Sequence, residues 1–432
     1  MIKKINVGLI GFGNVGSGVV KILKSRRALL RDKIDVDIVL KKICDKDISS
    51  RRDINVDREL LTGNADEILN DPSIDIVMEL MGGIHPAKEF IIKALRNGKH
   101  VITANKALLA EEGAELFALS RERGKAICFE ASCGAGIPII KSLREGLVAN
   151  KFSNIYGIIN GTSNFVLSEM AEKDCSFSEA LKEAKRRGFA ESDPSLDIDG
   201  IDSAHKLILL IYLCFGRFVS MKDIFIEGIS HISISDINYA QELGLEIKLL
   251  AIAKKVGDEL EVRVHPTMIP REHLLSSVGG IFNAIHVDSD LAGELLFYGP
   301  GAGQMCAASG VVSDLVDLIQ DVKAGLFKPT MNVVLDGSIR KLRRIDEIES
   351  RYYIRFMAID KPGVLAKISG VLSTEGISIA SVTQKERKKQ EIVPIVMIIH
   401  EAKERNLRQA LEKLDRLNVF KEKSVAIRIE EV

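Results

Sequence analysis

The chain has 432 residues, a length that suits about three domains of ordinary size. Its 60 lysines and arginines balance its 60 aspartates and glutamates, so no net basic charge favours binding to nucleic acid or to an anionic membrane. Hydrophobic residues make up 46% and charged residues 28% of the chain, which excludes a disordered or membrane protein and favours a soluble globular one.

Short apolar strands alternate with helices in the first part of the chain. Strands are predicted over residues 5–10, 36–44, 74–79, 100–103 and 126–130, with helices such as 87–97 and 108–123 between them. This alternation predicts a parallel sheet wrapped by helices, an α/β dinucleotide-binding domain over residues 1–135. A clean helical period over 304–325 predicts a helix that packs back on this domain.

Two further domains are predicted after residue 135. Residues 136–303 mix long helices with strands, which indicates an α+β domain. Its apolar run 207–215 is too short for a bilayer, which needs about 20 residues, and predicts a buried helix. A charged linker over 326–350 leads to residues 351–432, whose order of strand, helix, strand, strand, helix, strand predicts a βαββαβ domain.

A glycine-rich turn joins the first strand to the first helix. It reads Gly11-Phe12-Gly13-Asn14-Val15-Gly16. In such a turn the first glycine permits the tight bend, the second lets a pyrophosphate approach the backbone, and the third lets helix and strand pack closely. Because the motif lies between a strand and a helix in a βα series, it favours dinucleotide binding over an ordinary turn.

Two polar pairs follow later strands of the same series. Asp45 can accept the ribose hydroxyl of NAD, whereas Lys46 favours the extra phosphate of NADP, so cofactor preference stays open. Thr103 and Lys106 follow the strand 100–103 at the edge where ligands of such sheets bind. Lys106 is either a charge near a ligand or a solvated lysine in a loop.

Asp202 and Lys206 lie four residues apart at the start of the apolar helix and therefore share one face. On a surface such a pair contributes only about 0.3–0.5 kcal/mol. Because the helix continues apolar on every side, we expect the pair where a buried helix opens into a cleft, and there an acid and an amine can protonate a small polar substrate. The acidic loop from Glu191 lacks the EF-hand order of calcium ligands. His205 points off the shared face and is interpreted as structural.

Three other segments leave two interpretations each. Residues 130–138 run from a strand into a glycine turn, and a plain connector is the alternative to a site. Asn160 to Phe165 can bind a substrate through amides and hydroxyls, or Thr162 or Ser163 can cap a helix. Residues 299–303, GPGAG, can cover a cofactor or simply turn the chain. The six cysteines form no CxxC pair, which indicates reduced thiols, a cytoplasmic protein and no structural zinc.

Several of these motifs together resemble the homoserine dehydrogenases over about the first 340 residues. They are GFGNVG, TANKALL, EASCGAGIPI, NGTSNF, the segment 191–206 and GPGAG. The final 80 or so residues, with DKPGVL from Asp360, resemble an ACT domain, a small amino-acid-sensing module of ferredoxin-like fold. The resemblance implies NAD(P)-dependent interconversion of L-homoserine and L-aspartate 4-semialdehyde in threonine, methionine and isoleucine synthesis. It also implies a homodimer through the middle domain, or a higher homo-oligomer, and an amino-acid effector such as threonine at the tail.

The resemblance assigns roles to particular residues. Lys206 would be the general acid that protonates the carbonyl oxygen as hydride arrives, and the base in the reverse reaction. Asp202 would orient that proton path, Glu191 would bind the substrate's amino group, and Lys106 would lie between cofactor and substrate. An ordinary lysine pKa near 10.4 suits an acid but not a base at neutral pH, so we expect a lowered pKa or a water relay.

The resemblance also implies cofactor and cation contacts. Cofactor contacts would come from Gly11, Phe12, Gly13, Asn14, Val15, Gly16, Thr103, Lys106 and Gly303. The Glu130 carboxylate with the backbone carbonyls of Cys133, Ala135 and Ile137 looks like the family's monovalent cation site, expected to hold sodium. The Asp45-Lys46 pair departs from many relatives and puts NADP preference in doubt. No aspartate kinase segment precedes these motifs, so a monofunctional enzyme is expected.

Two alternatives remain at this point. A different hydride-transfer enzyme would keep the glycine turn without needing both Glu191 and Lys206. An amino-acid-responsive binding protein with a non-catalytic nucleotide domain would need neither. Deletion of the residues after about 345 is expected to leave a folded, active enzyme that no longer responds to the effector.

Overall fold

The computed structural model describes residues 3–325, 337–385 and 391–431, which belong to two compact units. The first unit comprises Met1–Ile155, Asp202–Met221 and Ile281–Asp336, and the second comprises Tyr156–Ile201, Lys222–Gly280 and Gly337–Val432. Residues 326–336 of the predicted linker lie outside the described residues. Among the described residues, no helix combines the length and the hydropathy needed to cross a membrane.

A parallel six-stranded sheet forms the centre of the first unit. Its strands are β1 (Lys3–Ile10), β2 (Val36–Cys44), β3 (Leu61–Thr62), β4 (Ile76–Glu79), β5 (His100–Thr103) and β6 (Ile127–Cys128). They lie in the order β3-β2-β1-β4-β5-β6, with every neighbouring pair parallel. The order reverses between β1 and β4, and in such sheets ligands bind outside the carboxyl ends of the strands at that point.

Helices connect these strands, as the sequence predicts. They are α1 (Asn14–Ser25), α2 (Arg27–Ile34), α3 (Asp66–Leu69), α4 (Ala87–Arg96), α5 (Lys106–Arg123) and α6 (Ile139–Lys141). The predicted strand over 126–130 is shorter than expected, because Glu130–Ser132 forms a 3-10 turn.

The middle of the chain supplies six more helices and six more strands. The helices are α7 (Gly161–Lys173), α8 (Phe177–Arg186), α9 (Ser195–Ile198), α10 (Ile201–Phe215), α11 (Ile234–Glu242) and α12 (Gln304–Ala324). The strands are β7 (Phe152–Ile158), β8 (Phe225–Ile226), β9 (Leu245–Val256), β10 (Glu259–Pro270), β11 (Phe282–Ser289) and β12 (Gly293–Pro300). The apolar run 207–215 lies in α10, which is buried over most of its length.

Helix α12 packs against α1 in the first unit. Gly18 on α1 lies so close to α12 that an added Cβ would be 2.9 Å from the Cβ of Ala308. Val20 of α1 and Val311 and Leu315 of α12 belong to one buried apolar cluster. The glycine thus allows two helices distant in sequence to share a core.

The tail has the predicted βαββαβ order. Its elements are β13 (Lys341–Arg343), β14 (Glu349–Ile359), α13 (Val364–Thr374), β15 (Ile379–Thr383), β16 (Ile392–Lys403), α14 (Glu404–Asp415) and β17 (Val425–Ile429). Of these, β13 lies in the segment predicted as a linker and pairs with β10. The mixed α/β fold class with a small βαββαβ tail is confirmed.

In the second unit the tail shares a sheet with the middle of the chain. The 12-residue strands β9 and β10 form an antiparallel hairpin. Strand β17 pairs in parallel with β10 at Thr267–Arg428 and Met268–Ile429, and the sheet continues as β10-β17-β14-β16-β15. One continuous sheet therefore crosses from the middle of the chain into the tail.

Charged side chains are buried where β10 meets β17. Arg263, which is 1% exposed, contacts Glu430 at 2.5 Å and Glu261 at 3.1 Å. Arg428 donates to Glu404 at 2.6 and 2.9 Å and to Glu227 at 3.0 Å. Because buried charges are costly without partners, these ion pairs tie the tail to β10 and to the segment after α10.

Candidate active site

The glycine turn bends sharply between β1 and α1. Gly11 has φ of 98°, and an added Cβ there would lie 2.5 Å from the backbone of Leu80. A Cβ at Gly16 would lie 2.1 Å from the carbonyl oxygen of Gly11. A Cβ at Gly13 would meet no atom within 4 Å. Gly11 and Gly16 therefore permit close packing. Gly13 leaves open space in front of the α1 N-terminus, where phosphate groups bind well.

A cavity of about 390 Å³ opens at the carboxyl ends of β1, β2 and β4. Gly11 and Gly13 line it, together with Asp45, Lys46 and the turn after β4. It lies at the reversal of strand order, the usual position of a dinucleotide in this fold. The lining and the open space at Gly13 fit a dinucleotide.

Asp45 holds the glycine turn in place. Its carboxylate accepts the Phe12 backbone N–H at 2.5 Å and lies 3.5 Å from the Arg52 guanidinium. Arg52 in turn donates to the Phe12 carbonyl at 2.6 Å and stacks over the Phe12 ring, 4.8 Å from its centroid. Asn14 and Val15 form the first turn of α1. Sequence reasoning missed Arg52, because nothing in its local sequence links it to the glycine turn.

Thr103 lies in a buried hydrogen-bonded group at the end of β5. Its hydroxyl donates to Glu79 at 2.7 Å and accepts the Asn105 N–H at 3.0 Å. Glu79 also accepts the N–H of Met81, a residue of the cavity wall, at 2.9 Å. Burial raises the pKa of Glu79. Glu79 thus links Thr103 to the cavity wall. Its position as a carboxylate at the end of an apolar strand is the sequence signal that could have identified it.

Lys106, Asp202 and Lys206 come together in the first unit. Lys106 begins α5 directly after β5, and the other two lie in the first turns of α10. The Lys206 Nζ donates to one Asp202 carboxylate oxygen at 2.6 Å, and the Lys106 Nζ lies 2.8 Å from the other. Asp202 and Lys206 are both 7% exposed, whereas the Lys106 side chain is 41% exposed.

Two ammonium groups thus share one buried carboxylate. Burial by itself would raise the pKa of Asp202, but Lys206 and Lys106 outweigh burial and hold that pKa well below its ordinary value. Cys133 is fully buried within the electrostatic reach of this cluster, and burial raises the pKa of its thiol to about 12. The thiol therefore stays protonated at neutral pH. The neighbouring His205 side chain lies 3.6 Å from the carboxylate of Glu111.

The segment proposed as a cation site folds into a tight loop after β6. The Glu130 carboxylate accepts the backbone N–H groups of Ile140 and Lys141, each at 2.9 Å. Burial raises the pKa of Glu130 to about 7, and Ala135 has a positive φ of 49°. Cys133, Ala135 and Ile137 are buried, and the Ile137 carbonyl accepts the Ile139 N–H at 2.7 Å.

Carboxylate and carbonyl oxygens are the donors that suit a hard cation, which is the basis of the predicted site. Within the described ranges, no three His, Cys, Asp or Glu side chains are grouped to hold a metal. The predicted cation site is not of that kind, because it would use one side-chain carboxylate and three backbone carbonyls.

The remaining predicted residues belong to both units. Gly303 caps α12 in the first unit with φ of 120°. Glu191 belongs to the second unit and is exposed. Asn160, rather than Thr162 or Ser163, caps α7, because its side chain accepts the Ser163 N–H at 2.8 Å. Its amide nitrogen donates to Asp197 at 2.7 Å, so the NGTSNF segment holds the acidic loop by hydrogen bonds.

Family models match three parts of the chain. The NAD-binding domain of homoserine dehydrogenase matches residues 11–130, homoserine dehydrogenase matches 138–316, and the ACT domain matches 352–419. The homoserine dehydrogenase of Neisseria gonorrhoeae is 40% identical over 431 residues, 99% of each chain. The chain belongs to the homoserine dehydrogenase family. The enzyme is thus an NAD(P)-dependent oxidoreductase with an ACT domain.

Solved structures agree with this assignment. A homoserine dehydrogenase from Thiobacillus denitrificans matches with a TM-score of 0.91 at 40% identity, over 99% of each chain. A hyperthermophilic archaeal homoserine dehydrogenase, solved in complex with NADPH, matches with a TM-score of 0.62 at 25% identity, over 76% of this chain and 100% of that one.

Proposed function

We propose that the enzyme interconverts L-homoserine and L-aspartate 4-semialdehyde with Lys206 as the proton donor and acceptor. The observation that carries this proposal is the Lys106–Asp202–Lys206 cluster. Lys106 follows β5 at the edge of the sheet where the cofactor cavity also opens, so the cluster belongs to the edge at which ligands of this fold bind.

Each residue of the cluster has a distinct task in this proposal. A bound nicotinamide supplies hydride to the aldehyde carbon in one direction and accepts it from the alcohol carbon in the other. The Lys206 ammonium gives its proton to the oxygen that becomes the hydroxyl, and the neutral amine takes that proton back in the reverse direction. Asp202 holds the ammonium in position, and the more exposed Lys106 binds the polar substrate.

Further residues complete the proposed site. The glycine turn, with Thr103 and Gly303, would hold the cofactor, and Glu191 would bind the substrate's amino group. Glu130 with the carbonyls of Cys133, Ala135 and Ile137 would hold a monovalent cation, sodium by family resemblance. These assignments follow the predicted division at residues 135, 303 and 350, with the middle domain forming a homodimer.

The reaction would serve threonine, methionine and isoleucine synthesis, with an amino acid such as threonine acting at the ACT domain. Family membership and the ACT domain support this part of the proposal.

Lys206→Ala tests the proposed mechanism. We expect it to abolish turnover of homoserine, followed by nicotinamide absorbance with NAD and NADP in turn, because in this direction the Lys206 amine is the proposed acceptor of the substrate's hydroxyl proton. Cofactor affinity, measured by calorimetry, should stay within about twofold. Lys182→Ala, an exposed lysine on α8, is the matched control and should turn over normally.

Two results would count against the proposal. Near-normal rates for Lys206→Ala would remove Lys206 from the mechanism. No turnover by the unaltered enzyme with either cofactor would favour an amino-acid-responsive binding protein instead.

A further inference from the structure

A second cavity, of about 290 Å³, lies within the second unit and is separate from every residue proposed above for catalysis. Helices α7 and α11, strand β9 and the turn Leu274–Ser277 form its walls. Ligand cavities commonly span about 300–1,000 Å³, so this one has room for a small molecule only. Its lining is strongly polar and includes Ser168, Glu172, Lys248 and Arg271.

Lys248 gives the cavity a buried positive charge. The residue is 5% exposed, and its ammonium donates to the Val278 carbonyl at 2.9 Å. Across residues 3–325, 337–385 and 391–431 this is the ammonium's one hydrogen bond, although an ammonium carries three N–H donors. A buried charge with unused donors is costly, and a ligand carboxylate in the cavity would remove that cost.

The neighbouring charges of the cavity are arranged differently. Glu246 is already paired with Arg271, at 2.8 Å. Glu172 makes no hydrogen bond or ion pair with any residue of the described ranges, and one of its carboxylate oxygens lies 4.0 Å from the position of a Cβ at Gly279. The cavity therefore presents one under-bonded, buried ammonium and, within its electrostatic reach, one exposed carboxylate that makes no close ion pair with the described residues.

We propose that this cavity binds a small zwitterion, an α-amino acid, with its carboxylate on Lys248 and its ammonium on Glu172. A carboxylic acid without an amino group would satisfy Lys248 alone, and a simple amine would satisfy Glu172 alone. Only a molecule with both groups uses both charges. The Ser168 and Ser276 hydroxyls donate to backbone carbonyls at 2.8 and 2.7 Å, and Ser168 also accepts the Gly280 N–H at 3.1 Å. Each hydroxyl oxygen has two lone pairs, so each keeps at least one that can accept a hydrogen bond from the ligand.

One wall of the cavity connects it to the tail. Ile237 and Gln241 on α11 line the cavity. The adjacent Asp236 accepts hydrogen bonds from Arg355 of β14 at 2.7 and 3.0 Å, and from the Tyr353 hydroxyl at 3.0 Å. The bound amino acid therefore contacts the helix that holds β14, so the site is placed to influence the tail.

Calorimetric titration of the full-length enzyme with the twenty L-amino acids, and with propionate, tests the proposal. We expect at least one amino acid to bind once per chain at this cavity. Lys248→Met and Glu172→Gln should each weaken that binding at least tenfold. Propionate should bind more weakly, and Glu172→Gln should leave its binding unchanged.

Homoserine-like ligands also enter the active site, so dependence on Lys248 and Glu172 is the deciding result. Glu401→Gln, an exposed glutamate in the tail, is the matched control and should leave all affinities unchanged. Glu172 is exposed, so its variant keeps the test valid if Lys248→Met does not fold. Amino-acid binding that is insensitive to both substitutions, or no binding beyond the active site, would overturn the proposal.

Discussion

Asp202 is a buried carboxylate shared by two ammonium groups, and this sharing determines how the site responds to pH. A carboxyl whose pKa is depressed in the folded state stabilises the fold above its ordinary pKa of about 3.9, and that contribution disappears as the pH falls through the depressed value. Asp202 should therefore remain ionised throughout the neutral and mildly acidic range.

Asp202→Asn should lower kcat about 10²-fold or more, because the Lys206 ammonium loses the group that orients it. The difference in free energy of unfolding between the two proteins should stay constant from about pH 9 to pH 5 and shrink below about pH 4. Denaturant unfolding across this range measures it. A difference that already shrinks near pH 6 would show that the pKa of Asp202 is not depressed.

Lys46 is the exposed cation of the cofactor cavity, whereas the neighbouring Asp45 is engaged with the glycine turn. Lys46→Ala should raise KM for NADP about tenfold, the equivalent of roughly 1.4 kcal/mol, and change KM for NAD less than about twofold. Initial-rate kinetics with both cofactors gives the comparison. Lys41→Ala, an exposed lysine of β2, is the control. Equal effects on both cofactors would exclude a contact between Lys46 and the extra phosphate.

In the turn between β1 and α1, different glycines serve packing and cofactor binding. Gly16→Ala forces a Cβ against a backbone carbonyl and should cost about 1–3 kcal/mol of stability. Gly13→Ala places its Cβ in open space and should change stability by less than about 0.5 kcal/mol while weakening cofactor binding at least about tenfold. Thermal unfolding and calorimetry measure the two effects. A Gly13→Ala enzyme that binds cofactor normally would place the pyrophosphate elsewhere.

Local signals in the sequence identify the elements and part of the site. The spacing of Asp202 and Lys206 defines their shared face, because a helix brings residues four apart together. The approach of Lys106 depends on how α5 and α10 pack, and no local pattern encodes it. The same holds for Arg52, which reaches the glycine turn from a separate loop. Pairing of β17 with β10 joins distant segments, so the sequence suggested an independent tail where the structure has a shared sheet.

The charged side chains buried at the shared sheet join the tail to β10 and stabilise the fold of the enzyme. Glu430→Ala removes a partner of the fully buried Arg263 and should destabilise the enzyme by about 3–5 kcal/mol. Glu431→Ala breaks only an exposed pair with Arg351 and should cost less than about 0.5 kcal/mol. Denaturant unfolding of the two variants compares neighbouring glutamates directly. Equal losses of unfolding free energy in the two variants would mean that the buried Arg263–Glu430 pair stabilises the enzyme no more than the exposed pair does.

Removal of the residues after about 345 would strip both Glu430 and β17 from β10. We therefore expect the truncated enzyme to be destabilised rather than fully active, because Arg263 would lose Glu430 and keep only Glu261 and His265.

The position of β17 also has a consequence for biosynthesis. All six strands of the first sheet have been made once residue 128 has left the ribosome. The second sheet lacks β17 until all its other described strands have been made, because β17 (Val425–Ile429) follows them in the chain. The pairing of β10 with β17 therefore forms after the rest of that sheet has been synthesised, and a nascent polypeptide that lacks β17 would expose the edge of β10 at Thr267 and Met268 to chaperones.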